Sequence, residues 1–226
     1  MASIQPTAKE LKKILAPMTW RQRIDYLWTY YKYILGIALG VVALISIIVS
    51  CIQLSQIEHI YNGILLNVPV TEQGKEALSD GVLTYFEADG KKQVVDLQEL
   101  SYVEASNSIS ADNNQATLIN LTVTVAAKSV DYVLCDEYAL NTVVLQRGYA
   151  DLRTVLTQQQ ISQLEAYFVW TKATEETESY PAALDISYIP FAQSCAPKTE
   201  KLYLLFPGNS DNMEKNSDFL DYLLKW

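Results

Sequence analysis

Asp136 and Glu137 stand where an apolar run, 130–135, gives way to a helix-like run carrying Leu140, Val143 and Val144. Paired carboxylates can move protons or hold a cation, but acids are also favoured at a helix start, where they meet the positive end of the dipole. Two acids adjacent in sequence are a weak sign of acid–base catalysis, and the helix start is the simpler reading. Placement supplies the alternative. In open α/β sheets, ligands bind beyond the carboxyl ends of the strands. That edge would display Val70, Thr71 and Glu72 after a first strand, and Asp136, Glu137 and Tyr138 after a third. Such an acidic rim, with a tyrosine in it, suits a cationic or hydroxylated partner.

Other chemistry lacks its parts. His59 is the single histidine and lies just after a long apolar run, so a serine or cysteine nucleophile further along the chain has no histidine base. There is no Gly-x-Ser-x-Gly elbow, and the segment 206–212, FPGNSDN, lacks the lysine of a phosphate loop. Three cysteines, Cys51, Cys135 and Cys195, do not make a zinc site with one histidine. Cys135 and Cys195 are candidates for a disulfide if the domain is extracytoplasmic; the other reading is two buried thiols acting as small hydrophobes. A non-enzymatic protein without cofactor or metal is expected.

These residues must be positioned by a layered domain. Residues 64–70 read as a strand, and Thr71 caps a helix whose Leu78, Val82 and Tyr85 or Phe86 form one buried stripe. Asp89-Gly90 stops that helix, and residues 93–97 supply a second strand. Strand–helix–strand units of this kind pair in parallel. Residues 101–114 are polar and read as a loop. Residues 115–129 fit both periods, but a strand at 130–135 follows at once, which favours a helix over intrinsic strand propensity. A helix after Asp136 ends at Gly148. Residues 150–170 give another, capped by Thr157, with Ile161, Leu164 and Phe168 inward. Strands follow at 183–187 and 202–206. A last helix, with a capping box from Asp211 to Glu214, buries Phe219, Leu220, Leu223 and Leu224. The expected fold is α/β, a three-layer, mostly parallel sheet over residues 62–226.

Charge and hydropathy place this domain. The net charge of −9 hides an asymmetry. Residues 1–33 hold six basic and two acidic side chains, a net of +4; the rest holds eleven basic and twenty-four acidic, a net of −13. An acidic body argues against nucleic acid as a partner. Residues 34–54 are uncharged and almost wholly apolar, long enough as a helix to span a hydrocarbon core of roughly 30 Å. The basic segment before it stays cytoplasmic, with Trp20, Tyr26, Trp28, Tyr30, Tyr31 and Tyr33 at headgroup level and a short interfacial helix around Leu11, Ile14 and Leu15. Four segments are therefore expected: 1–33 cytoplasmic, 34–54 transmembrane, 55–61 a linker, and 62–226 extracytoplasmic. An uncleaved single-pass anchor in the cell membrane is preferred over a cleaved signal peptide. It is also preferred over a lipoprotein in which Cys51, at the end of the lipobox-like IVSC, carries lipid.

Residues 129–156 also resemble a segment of the extracellular solute-binding proteins. In that family a strand ends in Asp, a helix follows, and a Gly-x-x-Asp-Leu turn comes next; the matching positions are Asp131, Asp136, Gly148, Asp151 and Leu152. Residues 183–224 resemble the closing part of the same family, with Phe219–Leu223 as its Phe-Leu-x-Tyr-Leu helix. The leader IDYLWTYYKYILG is similar to that of anchored proteins of low-GC Gram-positive bacteria. The resemblance implies one lobe of a type 2 periplasmic-binding fold. It departs from the family in size, because the ligand there is enclosed between two lobes and residues 62–226 make one. A single lobe cannot enclose a ligand. The fold can thus be inherited without the function. The expectation is a membrane-anchored domain engaging a partner protein in the envelope or a transport system. The alternative is a receptor for a small solute, or an accessory subunit of an uptake transporter.

Overall fold

Met1–Gln56 and Ile57–Trp226 form separate units in a computed structural model that describes residues 12–13, 15–55, 57–90, 92–145, 148–172 and 178–226. In the first unit, Pro17 and Thr19 precede helix α1 (Trp20–Ser55). The Thr19 amide donates to Gln22 Oε1 at 3.0 Å. Residues 36–50 of α1 are exposed on every side although nearly all are apolar. Among the described residues no helix is long and apolar enough to cross a membrane. The transmembrane helix expected over 34–54 is therefore not found there. The stretch whose side chains are described, 36–50, is about 22 Å at 1.5 Å per residue, short of a bilayer core. The side chains of residues 34, 35 and 51–55 lie outside the description, and so does the lipidation reading of Cys51. Leu11 and Ile14 of the expected interfacial helix lie outside it too.

The second unit begins earlier than expected. Strand β1 (Glu58–His59) pairs with β3 (Gln93–Val94), and Ile60 and Tyr61 are buried, so the second half of the expected linker belongs to the fold. Among the described residues, the main sheet comprises β2 (Gly63–Leu66), β4 (Leu97–Leu100), β5 (Tyr132–Cys135), β6 (Phe168–Thr171), β7 (Tyr180–Asp185) and β8 (Tyr203–Leu205). Its order is β4-β2-β5-β8-β7-β6. β4, β2 and β5 are parallel, and β8, β7 and β6 continue antiparallel. The sheet is mixed, which corrects the mostly parallel expectation. The reason lies in the connections. A parallel neighbour needs a connector that travels back along the strand. Helix α4 (Ser108–Ala126), 19 residues long and about 28 Å, can do this between β4 and β5. The helix between β7 and β8, Pro190–Cys195, is about 9 Å long, while β7 runs roughly 20 Å, so the chain returns antiparallel.

Alternate strand residues feed two cores, one on each face of the sheet. Tyr61, Leu65, Tyr132, Leu134, Leu184 and Leu204 lie in one; Ile64, Leu66, Val133, Cys135, Ala183 and Leu205 lie in the other. Burial on both faces is why the strands read as continuous apolar runs instead of alternating ones. The first face is covered by α2 (Glu72–Glu76) and α3 (Val82–Tyr85), joined by a π-helical turn at Ala77–Gly81. The Tyr222 hydroxyl donates to the Ala77 carbonyl at 2.7 Å and occupies the space a Cβ on Gly81 would need. Insertion of a side chain into the ladder is a usual cause of such a bulge. The second face is covered by α4 and by α5 (Glu137–Ala139), which runs on into a π-helical turn at Leu140–Val144.

Local expectations met mixed outcomes. The helix chosen for 115–129 is present, but it starts at Ser108, capped by Asn107 in a reciprocal box with Ser110. The polar residues that looked like a loop are partly this helix. Residues 150–170 are not one helix. They give α6 (Leu152–Val155) and α7 (Gln158–Leu164), the latter capped by Thr157, and then β6, which Phe168 begins. Helix α8 (Pro190–Cys195) was not foreseen. The last helix, α9 (Asn216–Lys225), buries Phe219, Leu220 and Leu223 with Leu224 half-buried. It has no capping box at Asp211, which instead pairs with Lys128 at 2.6 Å. Cys135 and Cys195 are free and buried in different cores, Cys135 on one face and Cys195 on the other, so no bridge joins them.

Candidate functional site: a groove at the strand ends

The parallel strands reverse their winding between β2 and β5. After β2 the chain enters α2 on the face of Leu65 and Leu78; after β5 it enters α5 on the face of Ile64 and Leu140. Loops that diverge in this way leave a crevice beyond the carboxyl ends of the strands. A groove of about 690 Å³ lies there, within the usual range for ligand sites, and it is open to solvent. Its lining comes from the ends of all three parallel strands: Asn67 and Pro69 after β2, Glu99 to Glu104 at the end of β4, and Asp136 and Tyr138 after β5.

Asn67 ties these ends together. Its backbone has φ 61°, the left-handed region that Asn tolerates better than most residues. From there its amide N–H donates to the Leu100 carbonyl at 3.0 Å. Its side chain clamps Tyr102, accepting from the Tyr102 amide at 2.7 Å and donating to the Tyr102 carbonyl at 2.7 Å. It also donates to Asp136 Oδ1 at 3.2 Å. The same wall is stapled to α4. Asn114 bonds both backbone groups of Val103, and the Thr117 hydroxyl donates to the Ser101 carbonyl at 2.7 Å.

Of the expected site residues, Asp136 and Tyr138 line the groove. Asp136 also starts a helix, its Oδ1 accepting the Ala139 amide at 2.8 Å, as the helix-start reading of the acidic pair has it. Tyr138 is stacked on Tyr102, with ring centroids 6.1 Å apart and 29° between the planes. Thr71, Glu72 and Glu137 are not in the lining. Thr71 caps α2 and accepts from the Gly74 amide at 3.2 Å. Glu72 is exposed and 3.8 Å from Lys75. Glu137 pairs with Lys201 at 2.8 Å, and its hydrogen bond is the main cause that raises the Lys201 pKa. Sequence reasoning missed Asn67, Glu99, Tyr102 and Glu104. The available signal for Asn67 was an Asn directly after an apolar run, a common left-handed turn residue.

The lining carries three carboxylates, Glu99, Glu104 and Asp136, and no basic side chain. Lys75 reaches Glu99 from outside at 2.5 Å, and the hydrogen bond with Glu99 raises the Lys75 pKa. Among the described residues no group of three or more His, Cys, Asp or Glu could hold a metal ion. His59 lies at the other edge of the sheet, in a polar cavity of about 390 Å³ with Asp131. There Asp131, of the solute-binding resemblance, is a buried pin. It accepts from the Asn62 amide at 2.7 Å, the Ser210 hydroxyl at 2.5 Å and Asn212 Nδ2 at 3.1 Å. Asp151, another of those positions, caps α6 and pairs with Arg153 at 2.5 Å. No protein family, curated protein or solved structure compared with the chain matches it.

Proposed function

We propose that the chain is a non-catalytic, membrane-anchored binding module. Its groove at the ends of β2, β4 and β5 engages a partner protein in the cell envelope or in a transport system. The observation that carries this reading is the coincidence of the groove with the winding reversal, where three strand ends are tied by Asn67. A groove built from one lobe stays open, which suits an inserted loop or side chain of a partner. The anchor is residues 34–54. Its described part, 36–50, is an exposed apolar helix, and with the flanking apolar residues the stretch reaches about 31 Å. The basic residues before it put the N-terminus in the cytoplasm and Ile57–Trp226 outside.

The experiment has two arms. Extraction of membranes at alkaline pH, with protease added to intact cells, tests the anchor: the chain should stay in the pellet and its C-terminal unit should be cleaved from outside. A photo-crosslinking residue at position 138 tests the groove, with position 209 as control. A discrete adduct from 138 alone is expected; equal adducts, or none, would overturn the groove. The second reading, a receptor for a small solute or an accessory subunit of an uptake transporter, is favoured by the groove volume and the Tyr102–Tyr138 pair. A thermal-shift screen that finds one solute would support it.

A further inference from the structure

We propose that the groove recognises an organic cation, a primary or quaternary ammonium or a guanidinium group, seated on Tyr138 between Asp136 and Glu104. This rests on the groove being the binding site of the preceding reading. The argument is one of unused valences. Asn67, the lining amide, has both ends of its side chain committed to the Tyr102 backbone and Asp136. Glu99 is committed to Lys75. Asp136 uses Oδ1 for the Ala139 amide and Asn67, and among the described residues Oδ2 takes no hydrogen bond. Glu104 is exposed and forms no ion pair among the described residues.

What remains facing a ligand is acceptor-rich and negative, with the half-exposed phenol ring of Tyr138 stacked on Tyr102, which also lines the groove. Aromatic faces attract cations, more so beside carboxylates. An anion meets like charge, and a polyol finds too few donors among the committed groups. Among the described residues the carboxylates do not converge as a metal site, and the open groove has room for the carbon skeleton that carries an organic cation. The chemistry is the same whether the group belongs to a free amine or to a Lys or Arg side chain of a partner, and the test separates the two.

The full chain in lipid nanodiscs is titrated calorimetrically with choline and spermidine as free cations. Acetyl-Gly-Arg-Gly-amide and acetyl-Gly-Lys-Gly-amide represent side chains; glucose and citrate are the neutral and anionic controls. At least one cation should bind, more weakly as salt rises. Tyr138→Leu and Asp136→Asn should each weaken it about tenfold; Asn still caps α5, and Glu104→Gln gives a third test at an exposed position. Glu72→Gln, outside the groove, should leave it unchanged. Binding of free cations with indifference to the peptides identifies a solute; the converse identifies a partner side chain. The inference is overturned if no cation binds, if glucose or citrate binds in preference, or if binding survives all three groove variants. Crosslinking from position 138 without cation binding would sink the cation inference alone, whereas loss of both would sink the groove as well.

Discussion

Replacing Tyr132 by Phe should stabilise the protein, and more so in alkali. Tyr132 is fully buried, with the Phe219 and Tyr61 ring centroids at 4.3 and 5.5 Å. Its hydroxyl has no hydrogen-bond partner among the described residues. An unpartnered buried hydroxyl costs about 1–3 kcal/mol. The hydroxyl's packing against Gly63 offsets this by less than about 1 kcal/mol. A net gain of about 1 kcal/mol at pH 8 follows. Burial, and then the nearby charge of Asp131, also raises the Tyr132 pKa well above its ordinary value. An unfolded tyrosine ionises near 10. Above that pH the folded state holds a proton that the unfolded state has lost, so the stability contributed by the neutral phenol is full below about pH 10 and declines as pH rises. Phe has no such proton. The advantage of Tyr132→Phe should therefore widen by about 1.4 kcal/mol between pH 8 and pH 11. Urea unfolding of both chains at the two pH values, followed by near-ultraviolet circular dichroism, measures it. A loss of more than 1 kcal/mol at pH 8, or a gap that does not change with pH, would refute the reasoning.

Three further outcomes are expected. Gly63→Ala places a methyl group into the Tyr132 ring, which neighbouring rings hold in place, and should cost about 2–3 kcal/mol in the same urea assay; Tyr132→Phe in that background should recover part of the loss. Asn67→Ala should cost about 3 kcal/mol, from lost side-chain hydrogen bonds and left-handed strain, whereas Asn67→Gly should cost about 1 kcal/mol less because only the strain is relieved; equal losses would show that the backbone conformation is not the issue. In a Cys51→Ser background, Cys135 and Cys195, whose pKa values burial raises, should react with an aromatic disulfide reagent only after unfolding and should release two thiols; a linked pair would contradict their separation by the sheet.

Much of this fold was written locally. The apolar runs around Ile64 and Val133 became β2 and β5, Thr71, Asp136 and Thr157 became caps, and the edge on which a groove would lie followed from strand direction alone. Each depends on interactions within a few residues, which type and spacing encode. Where the sequence misled, the cause was distant. Phe168–Thr171 continues an apolar helical pattern and is a strand because β7 lies beside it. Asn113 and Asn114 look like loop residues, yet Asn114 lies in a helix whose buried side holds Val103.

The same division runs through the site. Asp136 and Tyr138 could be found because they follow a strand directly. Tyr102 and Glu104 could not, since they reach the groove only through the pairing of β4 with β2 and the Asn67 clamp across 35 residues. Cys135 and Cys195 likewise could be a pair or two lone thiols until the sheet put them on different faces. Backbone propensity and capping are short-range energies and can be read residue by residue. Strand order and side-chain clamps come from burying two faces of one sheet at once, and that demand appears only when the whole chain is assembled.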